Sequence, residues 1–248
     1  MQPVTHGWLL VPSPVLGPAS WGPVAAVMDE LGQPVTIART TMTSAADLDH
    51  VTPWVNEILA LDPPSAGTQT VVVGHSAACP RMPYLVSQLI GKGWDVRAMI
   101  LVDGRFPTGE AFTSLESYGE MLDGMVRPDD YLPPWPRWWG SLVSGLVVDP
   151  VARDLVFNEA PPVPRTWFDQ SCPVPELPAT VGRGFLSFGP GYAQACDQAY
   201  EEGWLTTRLS GDHLHQVVAP APVAATLMAM VAGMSCGRGY PYDNDLDR

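Results

Sequence analysis

Lysine is almost missing from this chain. Lys92 stands alone in 248 residues, and lysine plus arginine number 13 against 26 aspartates and glutamates, a formal net charge of −13. A field of that sign repels nucleic acid and anionic membrane surfaces, so neither is an expected partner. Cysteine is nearly as scarce. Cys79, Cys172, Cys196 and Cys236 show neither metal-ligand spacing nor a disulfide framework, which fits a reducing cytoplasm. Gly-rich phosphate loops, the paired carboxylates of glycosidases and zinc motifs are all missing, so no cofactor and no metal are expected. The opening MQPVTHGWLLVPSP has no basic n-region and no long apolar core, and so does not read as a signal peptide. Residues 217–234 are apolar enough to suggest a membrane span. Pro220 and Pro222 open that run, however, and its place suits a packed terminal helix. No internal repeat is visible, and the acidic tail, residues 240–248, reads as frayed.

What remains is apolar and punctuated. Hydrophobic residues make up 46% of the chain and charged residues 16%, enough for one domain, or one domain carrying a large insertion, with a sizeable core. Strand and helix signals alternate. Residues 7–11 read as a strand, and a rigid loop, Pro12 to Pro18, follows. Trp21, Val24, Met28 and Leu31 share a helical face ending at Gly32. Residues 34–39 form the second strand, and Trp54, Val55, Ile58 and Leu59 mark the second helix. Residues 70–73 and 96–102 are the third and fourth strands. From Arg105 to about Arg183 the regularity breaks into YLPPWPRWWG, EAPPVPRTWF and CPVPELP, dense in proline and tryptophan. Order returns with a strand at 184–188, a helix at 192–202, a last strand at 205–209 and a last helix at 222–234. Alternation of this kind predicts an α/β fold, a mostly parallel six-stranded sheet with helices on both faces. Sites in such sheets lie beyond the carboxyl ends of the strands.

The chemistry gathers at TVVVGHSAACP, residues 70–80. A β-branched run passes at once into Gly74-His75-Ser76-Ala77-Ala78 and then into a helical pattern. A serine between small residues at a sharp strand-to-helix turn is a nucleophile elbow, its hydroxyl exposed above the strand end and backed by a helix N-terminus. The alternative is an ordinary strand-loop-helix with an incidental serine. At these residues the chain resembles the α/β-hydrolase superfamily, with Ala78 where the G-x-S-x-G pattern ends in glycine. The resemblance runs in order of elements from Gly7 to Met234. It implies the strand order second, first, third, fourth, fifth, sixth, with the switch point between the first and third strands. It also implies a core of residues 1–104 and 184–248 and a Pro/Trp-rich cap insertion at 105–183.

The resemblance further implies a serine hydrolase with Ser76 as nucleophile. The base belongs in the loop after the last strand, Ser210-Gly211-Asp212-His213-Leu214-His215, where His213 fits the G-x-H context. His215 is the other candidate, or lines the pocket. His75 occupies the variable elbow position, expected to point away from substrate, and His6 and His50 have no motif around them. The orienting acid is most often found after the penultimate strand, but Gly189-Pro190-Gly191-Tyr192 carries none. A family variant places it at the end of the preceding strand, which here is Asp103. In the competing reading Asp103 caps the turn at Gly104 and the site is a Ser–His dyad. Glu110, Asp197 and Asp212 are weaker candidates. For the oxyanion hole, Ala77 N–H is one expected donor. The other falls in Pro12-Ser13-Pro14, where Pro14 has no N–H, and a shift of one residue makes Val15 the donor. Trp135, Trp138, Trp139 and Trp167 form the small core of the cap, some of them walling the pocket with Pro14 and His215. A hydrophobic or aromatic small molecule is the implied substrate. The expected reaction is ester or thioester cleavage; acyl transfer, cyclisation or lyase chemistry on the same site, or a silent ligand-binding protein, are the alternatives.

Overall fold

The computed structural model describes residues 6–65 and 67–235. Cys236, the tail at 240–248 and the first residues of the amino-terminal stretch lie outside the described residues. Strands β1 (Gly7–Val11), β2 (Val35–Ile37), β3 (Thr70–His75) and β4 (Val96–Val102) come first. The short strands β5 (Tyr131–Leu132) and β6 (Val163–Pro164) fall in the irregular segment, and β7 (Gly182–Phe188) and β8 (Leu205–Leu209) follow it. The six longer strands join one sheet in the order β2-β1-β3-β4-β7-β8, and every neighbouring pair is parallel. This is the strand order that the resemblance implied. The chain reverses direction across the sheet between β1 and β3, so the loops after these two strands open side by side.

The central strands are apolar on both faces because both are covered. The helices are α1 (Gly22–Glu30), α2 (Val51–Leu59), α3 (Met82–Gly91), α4 (Glu116–Asp123), α5 (Ser141–Gly145), α6 (Pro150–Glu159), α7 (Ala193–Glu201), α8 (His215–Val218) and α9 (Pro220–Ser235). Trp8, Leu10, Val71, Val73, Ile100 and Leu186 face one layer, made by α1 and α9 through Trp21, Val24, Met28, Val223, Leu227 and Met230. Leu9, Val11, Val72, Met99, Leu101 and Phe185 face the other. There α2, α3 and α7 contribute Trp54, Ile58, Leu85, Leu89, Cys196 and Ala199. No helix among the described residues is long and apolar enough to cross a membrane. Cys79, Cys172 and Cys196 are buried free thiols.

Strand β2 is shorter than the expected 34–39, β3 runs two residues beyond the expected 73, and three further boundaries differ for local reasons. Strand β7 begins at Gly182 rather than residue 184. Its glycines admit the methionines of α9: a Cβ on Gly182 would lie 2.6 Å from Met234 Sδ, and one on Gly184 2.7 Å from Met234 Cε. Helix α9 starts at Pro220, since a helix's first turn tolerates proline. After β3 the chain does not enter an α-helix directly. Residues Ser76–Arg81 form a 3₁₀ stretch, and α3 starts only at Met82. Pro80 explains this, because in an α-helix its ring would strike the carbonyl of Ser76, four residues back.

Between β4 and β7 the chain carries α4, α5, α6 and the antiparallel pair of β5 with β6. Phe112, Leu132, Trp135, Val143, Trp167 and Phe168 from this segment pack with Val15, Leu16, Ala77, Leu214 and Val217. The segment therefore lies over the loops that follow β1, β3 and β8. His50 ties it to the loop before α2: its ring bonds Thr43 Oγ1 on one side and Thr166 Oγ1, at 2.7 Å, on the other.

Candidate active site

The residues that directly follow β3 and β4 both have left-handed backbones, Ser76 with φ 56° and Asp103 with φ 45°. Conformations of this kind cost about 1–3 kcal/mol each and persist only where the surroundings impose them. Here the imposition is close packing of small residues. A Cβ on Gly74 would lie 2.4 Å from Met82 Sδ, and one on Gly104 would lie 2.3 Å from the Ser76 carbonyl oxygen. Gly74 and Gly104 thus let the two strand ends and α3 close together, and the two strained residues emerge beside each other.

His213, from the loop after β8, completes the group. Its Nε2 is 2.9 Å from Ser76 Oγ, and its Nδ1 is 2.6 Å from Asp103 Oδ2. A carboxylate only accepts, so Nδ1 carries the proton and Nε2 is free to accept from the serine hydroxyl. The other carboxylate oxygen, Oδ1, accepts the backbone N–H of Phe188 at 2.7 Å, and the Asp103 N–H donates to the Leu186 carbonyl at 2.8 Å. Asp103 is thus anchored at the end of β7 as well as on its own strand. Its 1% exposure leaves the imidazole as its outlet.

The other candidates for the acid are placed differently. Asp197, on α7, pairs with Arg208 at 2.6 Å, and Glu110 is exposed. Asp212 lines the cavity mouth beside His213.

Ser76, Ala77 and Val15 open into a cavity of about 430 Å³. The loop after β1 makes a turn in which Leu16 N–H donates to the Ser13 carbonyl. Pro14 therefore occupies the first corner, which needs no N–H and suits a fixed φ, and Val15 is the next residue with an N–H to offer. Trp135, Trp138 and Trp139 lie on the wall of this cavity.

Three residues assigned to the pocket by the sequence are not on its wall. Pro14 is buried in its turn. His215 opens the short helix α8 and packs on Phe188, ring centroids 5.4 Å apart. Trp167 lies beneath the wall, where its face holds the guanidinium of the fully buried Arg81, Cζ 3.5 Å from the ring centroid. Arg81 donates to the Trp167 carbonyl at 3.1 Å, and burial lowers its pKa to about 9.

The sequence reading counted phenylalanines beside the cap tryptophans, as Phe168 is, but missed Phe112 and Tyr118 from the inserted segment and Tyr192 after β7. Burial pushes the Tyr118 hydroxyl up to about 12, and Tyr192 is raised by burial first and by the Asp103 charge second. Both therefore stand as neutral aromatic walls at ordinary pH. Phe112 and Tyr118 lie in the aromatic-rich inserted segment but outside its tryptophan-dense stretches. Tyr192 sits in the loop where family logic looks for an acid, so its ring draws no notice there. Among the described residues no group of carboxylates, histidines and cysteines is arranged to hold a metal ion.

No protein-family model matches the chain, and no curated protein matches it in sequence. Solved structures match it over almost its whole length. An extracellular α/β-hydrolase from a Paenibacillus species, described as sharing structural and functional homology with tobacco salicylic acid binding protein 2, is 16% identical. It aligns over 91% of this chain and 98% of its own with a TM-score of 0.66. A variant of tomato methylketone synthase I, complexed with β-ketoheptanoate, is 15% identical over 93% of this chain and 99% of its own, with a TM-score of 0.67. Polyneuridine aldehyde esterase is 15% identical over 91% and 99%, with a TM-score of 0.62. At such identities the likeness concerns architecture. The chain has the α/β-hydrolase fold.

Proposed function

We propose that the protein is a serine hydrolase that cleaves an ester or thioester of a hydrophobic small molecule. The observation that carries this reading is the continuous hydrogen-bonded line from Ser76 Oγ through the His213 ring to Asp103 Oδ2, at 2.9 and 2.6 Å. His213 takes the hydroxyl proton as Ser76 attacks the carbonyl carbon, and Asp103 holds the ring in the competent tautomer and balances the imidazolium. The tetrahedral oxyanion is received by the N–H groups of Ala77 and Val15. His213 returns its proton to the leaving alcohol or thiol, and water then repeats the sequence on the acyl-enzyme. The segment at 105–183 acts as a cap whose tryptophans and phenylalanines exclude water and select an apolar acyl or alcohol group.

A second reading keeps the same site for lyase chemistry. It is favoured by Pro14 at the corner of the loop that supplies oxyanion donors, since one missing donor costs about 2.7–4 kcal/mol in the barrier of acyl chemistry. The likeness in fold to a methylketone synthase is compatible with it.

The test is turnover of a panel of p-nitrophenyl and thioester substrates with apolar acyl groups, by the wild type, Ser76→Ala and His213→Ala. The hydrolase reading expects turnover by the wild type only. Wild-type inactivity on every ester, or activity that survives Ser76→Ala, favours the second reading.

A further inference from the structure

His75, one residue before Ser76, has no solvent exposure at all. The fold places its imidazole directly behind His213: the ring centroids are 4.8 Å apart with planes inclined by 34°. Its Nε2 lies 3.0 Å from the backbone carbonyl oxygen of His213. A carbonyl only accepts, so Nε2 carries the proton and Nδ1 is the accepting nitrogen. The side-chain amide nitrogen of the buried Gln216 stands 3.4 Å from both ring nitrogens, and of the two only the unprotonated Nδ1 can accept from it. Trp21 presents an edge to the ring at 6.0 Å. Tyr192 also packs against His213, its ring 5.5 Å away and inclined by 32°. Burial, and secondly the neighbouring His213, hold His75 neutral, which keeps one nitrogen accepting and one donating.

These bonds run in one direction. Gln216 donates to His75, His75 donates to the His213 carbonyl, and His213 donates to Asp103. His213 is thereby fixed at two independent points, its ring by Asp103 and its backbone by His75. Without the second tether the loop between β8 and α8 could swing while the ring stayed bonded to Asp103, and Nε2 would leave Ser76. Displacements of about 1 Å at a reacting group cost on the order of a hundredfold in rate.

We propose that His75 is a positioning residue for the general base, holding His213 in register with Ser76 through the carbonyl bond and the ring contact, with Gln216 setting its tautomer. The proposal rests on the reading of Ser76 and His213 as nucleophile and base.

Its test uses a fluorophosphonate probe, which reports base-assisted attack by the serine without knowledge of the natural substrate. Maximal inactivation rate and probe affinity are measured for the wild type, His75→Leu, His75→Gln and Gln216→Leu, with melting temperature recorded for each. His75→Leu should slow the maximal inactivation rate by about tenfold to a hundredfold with probe affinity nearly unchanged. His75→Gln, whose amide nitrogen can reach the position of ring Nε2, should recover most of that rate. Gln216→Leu should slow labelling several-fold, and this variant carries the test if His75→Leu does not fold. A folded His75→Leu that labels at the wild-type rate overturns the proposal, as does a His75→Gln no faster than His75→Leu, or an unaltered rate in Gln216→Leu. A wild type that does not label at all overturns instead the underlying Ser–His reading.

Discussion

Asp103 is held by three contacts that each use a different atom: its N–H to Leu186, Oδ1 to Phe188 N–H and Oδ2 to His213. Replacing it by asparagine preserves size and most of the packing while removing the charge that favours the Nδ1–H tautomer. Turnover by Asp103→Asn should therefore fall by about four orders of magnitude, while Asp197→Asn and Asp212→Asn change it little. Steady-state rates on one activated ester decide between them, and equal losses in all three contradict the assignment. Histidine also sets a pH limit on stability. His75 is pushed well below its ordinary 6.5 by burial, and His50 and His6 are shifted the same way by burial. Below that value the unfolded chain binds protons that the folded chain refuses. The stability contribution is whole above about pH 6.5 and drains away as pH falls toward the folded values. Melting temperature should drop between about pH 7 and pH 5. His75→Gln should flatten that drop relative to its own plateau, and a pH-independent melting temperature would contradict the assignment of buried neutral rings.

The elements are legible in the sequence where one physical signal governs them. β4 is marked by its apolar run and stops before Asp103-Gly104, and β8, with paired threonines between two leucines, stops before Ser210-Gly211. The stretch after Ser76 misleads. Its composition suggests a helix, and only the coincidence of Pro80 with the Ser76 carbonyl four residues earlier turns it into a 3₁₀ segment. The elbow's tightness rests on close approaches that a linear reading only partly anticipates. Gly74 follows from the serine motif, but Gly104 matters because of a neighbour on another strand. Gly104→Ala should destabilise the fold by about 1–3 kcal/mol, since its Cβ would meet the Ser76 carbonyl oxygen at 2.3 Å and Cys79 Sγ at 2.5 Å. Gly91→Ala, at the end of α3 with nothing within 4 Å of the new methyl, should instead stabilise by about 0.4–1 kcal/mol. Urea unfolding of the two variants checks the contrast, and equal effects would mean that the crowding beneath the elbow relaxes without cost.

At the scale of the molecule, a sheet buried on both faces leaves its strand ends as the place for chemistry, and the switch between β1 and β3 fixes which ends. The structure brings together Ser76, His213 and Asp103, each of which lies in a loop after a strand that the sequence signals. The pocket wall cannot be read in the same way. It is assembled from a proline-rich segment without periodicity, so Trp167, indistinguishable in sequence from Trp135 or Trp138, is spent on Arg81 instead. Trp138, on the cavity wall, should govern substrate affinity: Trp138→Ala is expected to raise KM for aromatic esters about tenfold or more and leave kcat for a small acetyl ester nearly unchanged. A fall in kcat with unchanged KM would place Trp138 in the chemistry rather than in binding. The account as a whole turns on a covalent bond at Ser76. Rapid acid quench of the wild type after mixing with an activated apolar ester, followed by peptide mass spectrometry, measures it directly. The predicted result is an acyl group on the peptide containing Ser76, accumulating with a burst of released alcohol and absent in Ser76→Ala. Ester turnover without any acylated peptide, or an acyl group carried by a different residue, would contradict it.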